Sequence, residues 1–222
     1  MTKNIYCVSD IHNDSKRFKE LLKLIDFSPE DQMYILGDIF DRGLDPVGLY
    51  HEILKYENII PLKGNHDDFL AKSIRENSYV SQSHQIIGKR LTRVDLENLA
   101  AWIEQMPLQK ELEINGEKFL LAHAETTDAP QDKNDEFFTV GEDMTCRFLR
   151  EGILGYTSVI GHFTTDLVRY VMKNYPEFPN TVWHNKSNNV FCIDCGNGYR
   201  KETSSHVRLA CLRLNDKSCF YV

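Results

Sequence analysis

The sequence predicts an α/β fold built on a parallel sheet, with a second, largely antiparallel sheet toward the C-terminus. Three observations lead there. Short apolar runs alternate with helical patterns through residues 4–62, the order of a parallel sheet. A polar cluster closes each of those runs: Asp10-Ile11-His12, Gly37-Asp38-Ile39-Phe40-Asp41-Arg42-Gly43 and Gly64-Asn65-His66-Asp67. After the helical stretch that ends at Pro107, short apolar runs joined by turn signals take over.

In chain order, residues 4–9 form the first strand and deliver Asp10 and His12. Asp14 or Ser15 caps a helix over 16–26, where Phe18, Leu21, Leu22 and Ile25 recur at helical spacing. The run Met33-Tyr34-Ile35-Leu36 is a buried strand leading to Asp38, and Asp45-Pro46 opens a helix over 46–56 with cap and N1 proline in their preferred places. Residues 58–62 are a third strand, followed by Asn65 and His66. Residues 66–76 and 94–106 read as helices around a polar link. Asn115-Gly116 is a two-residue turn between strands 110–114 and 117–122, whose far end delivers His123. The polar stretch 124–143 reads as a loop, 143–152 as a short helix, and 157–160 as a strand ending at Gly161-His162. Thr165 caps a helix over 166–174, and Pro176 and Pro179 interrupt the chain. Segments 181–185, 190–194, 207–214 and 218–222 complete the second sheet.

The 222 residues suit one domain over 1–222, and 41% hydrophobic with 27% charged residues is ordinary for a full core. The net charge of −7, with no basic run, argues against nucleic acid or an anionic membrane as main partner. No signal-peptide core or membrane-length apolar run is present, so the expected setting is cytoplasmic. Of the six cysteines, Cys7, Cys192, Cys211 and Cys219 lie in apolar strand-like runs and read as small core residues. Cys192 and Cys195 form a C-x-x-C, but positions three apart on a strand face opposite ways and no second pair exists, so zinc and redox roles are rejected.

Six side chains lie just past strands: Asp10, His12, Asp38, Asn65, His123 and His162. As a set they offer oxygen and imidazole donors and no thiolate, which suits Mn²⁺, Fe, Zn²⁺ or Co²⁺. Six ligands exceed the needs of one catalytic ion with open positions. They suit two ions sharing a carboxylate, about 3.5–4 Å apart, that clamp a phosphoryl group.

Taken in this order, Asp-x-His, Gly-Asp-x-x-Asp-Arg-Gly, Gly-Asn-His-Asp, a lone His and Gly-His resemble the calcineurin-like metallophosphoesterases. More narrowly they resemble the small bacterial and phage branch of the phosphoprotein phosphatase family, of the lambda phage type. The motifs span residues 10–162, and Ile193-Asp194-Cys195-Gly196 resembles a later element of that family. The resemblance implies a four-layer α/β/β/α sandwich of two mixed β-sheets flanked by helices. It implies two divalent metal ions, Mn²⁺ foremost, with in-line attack by a hydroxide bridging them. Asp10 and His12 would hold the first ion, Asp38 would bridge both, and Asn65, His123 and His162 would hold the second. Arg42 would bind phosphate oxygens with Asn65, and His66 would be the general acid, oriented by Asp41. A second phosphate arginine is expected between the last two histidines, where Arg147 fits the spacing better than Arg150. Asp67 stands where family members usually carry Glu. The first functional expectation is a Ser/Thr or dual-specificity protein phosphatase acting on phosphoproteins or phosphorylated small molecules. The alternative is a symmetric dinucleoside tetraphosphate hydrolase, which shares these motifs. A non-catalytic scaffold is a third reading, disfavoured because the ligands, Arg42 and His66 are all intact.

Overall fold

The computed structural model describes residues 3–142, 146–173, 180–199 and 207–222. Among the described residues ten strands form two five-stranded sheets. The first is ordered β10-β9-β1-β2-β3, from β1 (Ile5–Val8), β2 (Gln32–Leu36), β3 (Ile59–Leu62), β9 (Ala210–Arg213) and β10 (Ser218–Tyr221). Its β1, β2 and β3 run parallel, with Cys7 opposite Tyr34 and Tyr34 opposite Ile60. The second is ordered β4-β5-β6-β8-β7, from β4 (Gln109–Ile114), β5 (Glu117–Ala122), β6 (Thr157–Ile160), β7 (Trp183–His184) and β8 (Val190–Cys192).

Side-chain alternation along the strands generates the layers, because successive residues face opposite sides of a sheet. Tyr6, Val8, Met33 and Ile35 face helices α1 (Ser15–Leu24), α2 (Pro46–Ile53), α3 (Asn65–Arg75) and α5 (Arg93–Glu104), meeting Phe18, Leu49, Leu70 and Ile103. Cys7, Tyr34 and Leu36 point the other way and meet Phe119, Leu121, Val159 and Phe191 between the two sheets. Ile160, Val190 and Cys192 face outward onto Leu149 of α7 (Cys146–Glu151) and Val168 of α8 (Thr165–Val171). The result is the expected helix–sheet–sheet–helix sandwich of two mixed sheets. No helix among the described residues is long and apolar enough to cross a membrane.

Four expectations need correction. The second sheet is mixed rather than largely antiparallel: β5, β6 and β8 are parallel neighbours, and only β4 and β7 are antiparallel at its edges. The C-terminal hairpin β9–β10 does not join that sheet but extends the first beside β1, with Cys7 opposite Leu212. The polar link after residue 76 contains helix α4 (Gln82–Arg90), capped by Ser81 and anchored through Ile87 in the first core. Within 124–143 a short helix α6 (Asp135–Thr139) packs Phe137 and Phe138 under Leu108. The parts of the expected elements at 143–145 and 174–179, including Pro176 and Pro179, lie outside the described residues. Cys192 sits in the outer core and Cys195 in the inter-sheet core, so the two thiols face apart.

Candidate active site

All parallel strands of the two sheets end toward one edge, and the loops leaving them carry the site. Those loops are sharply turned. Asp10, His12, Asn13, Asp38, Asp41, Arg42 and His162 all have left-handed φ, between 48° and 76°. Each such residue without a glycine's freedom is strained by roughly 1–2 kcal/mol, and such strain concentrates where function needs a fixed geometry. The loops also approach very closely. A Cβ on Gly64 would lie 2.3 Å from the Asp38 nitrogen, and one on Gly161 would lie 2.4 Å from Asp10 Oδ2.

Asp38 is the centre of the arrangement. Its Oδ2 lies 3.6 Å from His12 Nε2, and its Oδ1 lies 3.3 Å from His123 Nε2. The two oxygens of one carboxylate therefore face two different imidazoles. Asp10 Oδ1 stands 3.9 Å from His12 Nε2, completing one donor group. His162 Nδ1 and Asn65 Oδ1 stand 3.2 and 3.1 Å from His123 Nε2, completing the other. His12 Nδ1 donates to the Phe40 carbonyl and His123 Nδ1 to the Leu36 carbonyl, which turns the Nε2 edge of each ring toward Asp38.

Burial shapes the charges. Asp10, His12, Asp38 and His123 are all under 4% exposed. Burial lowers His12 and His162 to about 4, so both are neutral imidazoles at neutral pH. Burial and the Asp38 charge raise Asp10 to about 6. Burial opposes the charged form of Asp38 too, yet His123 and His12 outweigh it and hold Asp38 well below the usual range. Two clusters of converging nitrogen and oxygen donors sharing one ionised carboxylate, deep in water-poor surroundings, fit a pair of hard or borderline divalent cations.

His66 stands in the first turn of α3 beside this cluster. Its Nδ1 is 2.8 Å from Asp41 Oδ2, and its Nε2 is 3.2 Å from Arg42 Nη2 and 3.9 Å from Asp38 Oδ2. Burial disfavours its cation, but Asp41 and Asp38 outweigh that and raise its pKa. Burial likewise opposes ionised Asp41, and hydrogen bonds from His66 and Ser83 hold it far below the usual carboxylate range. The exposed Arg42 guanidinium stacks over Tyr199, 4.3 Å from its ring centre. His12 and Arg42 open onto a cavity of about 530 Å³, whose wall includes Lys16, Leu44, Asn197 and Gly198. Asp67 lies beneath the site. Its Oδ2 accepts from Asp38 N and Gly64 N, both at 2.9 Å, and its Oδ1 from Ile39 N at 3.0 Å and Phe40 N at 3.2 Å. The shorter acid fastens the Asp38 turn with three of these bonds and caps α3 through the fourth, at Gly64.

The expected arginines are placed otherwise. Arg147 Nε pairs with Glu151 at 3.1 Å on the surface of α7, with its side chain 84% exposed. Arg150 borders a separate cavity with Trp183 and His184. Three site residues have no local sequence signal. Ser83 reaches Asp41 from α4, 42 residues away. Tyr199 meets Arg42 from a C-terminal turn, and Asn197 Nδ2 holds the Ile11 carbonyl. Pairings across such separations carry no periodicity that a sequence could show.

Comparison with known proteins adds the following. The model of the calcineurin-like phosphoesterase family matches residues 3–190. The symmetrical bis(5'-nucleosyl)-tetraphosphatase of Acidovorax sp. (strain JS42) is 31% identical over 122 residues, 54% of this chain and 43% of that protein. Its namesake from Paracidovorax citrulli (strain AAC00-1) is 30% identical over the same lengths. A crystal structure of a putative diadenosine tetraphosphatase superposes with a TM-score of 0.71 at 18% identity, covering 100% of this chain and 94% of that one. The chain thus spans less than half the length of the curated relatives it matches. These relatives overturn the first functional expectation, a Ser/Thr protein phosphatase acting on phosphoproteins, and favour the alternative. The physical reason is that the motifs report how a phosphoryl group is held and attacked. That chemistry is common to phosphomonoesters and phosphoanhydrides, and the motifs do not distinguish the two.

Proposed function

This chain belongs to the calcineurin-like phosphoesterase family, and we propose that it hydrolyses the central phosphoanhydride of a bis(5'-nucleosyl) tetraphosphate, releasing two nucleoside diphosphates. The observation that carries the hydrolytic reading is Asp38, with one carboxylate oxygen turned to each of two histidine-containing donor groups. The substrate class is supported by the curated relatives.

In this reading Asp10, His12 and Asp38 would hold one divalent ion and Asp38, Asn65, His123 and His162 the other, with Mn²⁺ the proposed metal. When bound, such a pair acidifies water and neutralises charge on the phosphoryl group under attack. The chain's own groups do the rest. Arg42 presents a planar donor fork to the phosphoryl oxygens, pre-oriented by its stacking on Tyr199. His66 directs Nε2 to the same point as Arg42 and delivers a proton to the departing oxygen, while Asp41 fixes the tautomer through Nδ1. A nucleoside diphosphate is a far better leaving group than an alkoxide, so His66 contributes less here than it would to an alkyl ester. Asn65, 3.1 Å from His123 Nε2, would share the phosphate. Arg147 would serve as second phosphate donor only after leaving Glu151. Four buried free thiols, Cys7, Cys192, Cys195 and Cys211, support a reducing, cytoplasmic setting.

The test is substrate competition on the Mn²⁺-loaded protein. The kcat/KM for diadenosine tetraphosphate should exceed that for a phosphoserine peptide. A preference for the peptide would refute the proposal.

A further inference from the structure

Asp41 has a close side-chain partner on each carboxylate oxygen, and the Ser81 hydroxyl and the Arg42 backbone N–H also bond to the carboxylate. Oδ2 accepts from His66 Nδ1 at 2.8 Å, and Oδ1 accepts from Ser83 Oγ at 2.7 Å. A carboxylate turns easily about its last bond, and of these partners Ser83, at 2.7 Å on Oδ1, makes the shortest bond opposite His66. Asp41 also sits at a left-handed φ of 76° on an open loop, and its side chain is 17% exposed. The loop backbone is tied separately, by Asn13 Nδ2 on the Asp41 carbonyl.

Ser83 is built to be the fixed point. It is 2% exposed in the first turn of α4. Its Oγ also lies 3.1 Å from the Oγ of Ser81, the residue that caps the helix by accepting from His84 N. The helix is held by Ile87 in the core and by a 3.1 Å contact between His84 Nδ1 and Ser73 Oγ of α3. Ser83 belongs to neither metal-ligand cluster and does not line the cavity at Arg42. Its described route to the chemistry runs through Asp41.

We infer that Ser83 is a positioning residue for proton delivery: its bond to Asp41 fixes the carboxylate, the carboxylate fixes the His66 ring, and the protein's tolerance of poor leaving groups depends on that chain. The inference rests on His66 being the general acid of the proposed reaction. Two variants separate the ideas. Ser83→Ala and His66→Asn are assayed with Mn²⁺ on p-nitrophenyl phosphate, whose phenolate leaves without a proton, and on glycerol 2-phosphate, whose alkoxide does not.

Ser83→Ala should lower kcat for the alkyl phosphate by about 10-fold, as loss of an orienting partner behind a site residue typically does. It should leave KM, metal content and the aryl rate nearly unchanged. Combined with His66→Asn, the serine change should add nothing, because groups acting in series are not additive. Ser83→Cys, close in size but a weak donor, should show the same split at smaller amplitude, which preserves the test if alanine loosens α4. Equal losses on both substrates, no loss on either, or a serine effect that persists in the His66→Asn background would overturn the inference. A His66→Asn variant that loses equally on both substrates would instead remove the general acid itself, and the inference with it.

Discussion

Replacing Asp67 by Asn should weaken the whole protein as well as its site. The side chain is 0% exposed and accepts four backbone N–H groups, two on each oxygen. Asn has nearly the same shape, so no cavity forms. It has only one acceptor atom, and whichever way the amide turns, two buried N–H groups lose their partner and face an NH₂ donor. A buried polar group left unsatisfied costs about 1–3 kcal/mol, so two give about 4 kcal/mol. Relief of the repulsion between Asp67 and Asp38 offsets part of that. For a chain of this size each kcal/mol moves Tm by about 2–4 °C, so a fall of roughly 8–16 °C is expected. The assay is thermal unfolding by circular dichroism with a chelator in both samples, which keeps metal binding out of the comparison. A Tm within about 2 °C of the parent would show that Asp67 does not fasten the Asp38 turn.

Further outcomes follow from other parts of the molecule. Asp31 is buried, which would raise its pKa, yet hydrogen bonds from Ser28 and Asn4 lower it below the usual value. A lowered carboxyl stabilises the fold above its unfolded pKa, about 3.9, and loses that effect as pH falls through the folded value. Asp31→Asn should therefore cost about 2 kcal/mol at pH 7, with the gap closing below pH 4, and chemical denaturation across pH 3–7 measures it. Asp38→Asn should reduce metal content at both positions together, because an amide cannot offer an anionic oxygen to each donor group. Metal analysis by mass spectrometry checks this, and retention of two ions per chain would contradict the shared-carboxylate geometry.

Much of the architecture was legible because it is written locally. Strand alternation, the Asp14 and Asp45 caps and the Asn115-Gly116 turn are short-range signals, and parallel strands must end on one side. That last rule brings Asp10, Asp38 and Asn65 together without any knowledge of packing. What was hidden depends on long-range partners. Helix α4 has few apolar residues and persists because Ile87 finds the core. The hairpin β9–β10 chooses its sheet by pairing with β1, some two hundred residues earlier, and the sequence holds no mark of which edge is free. Ser83, Tyr199 and Asn197 belong to the site through contacts that no spacing announces. The substrate was hidden for a chemical reason: the motifs describe the reacting phosphoryl group, and specificity lies in what surrounds it.

Product analysis in H₂¹⁸O tests the proposed reaction most directly. Diadenosine tetraphosphate turned over by the Mn²⁺-loaded protein should yield only ADP, two per substrate, with one ¹⁸O on the β-phosphate of one of each pair. Formation of AMP with ATP would place the attack at an outer phosphate and contradict symmetric cleavage. Absence of turnover in a protein shown to hold both ions would contradict the substrate class itself.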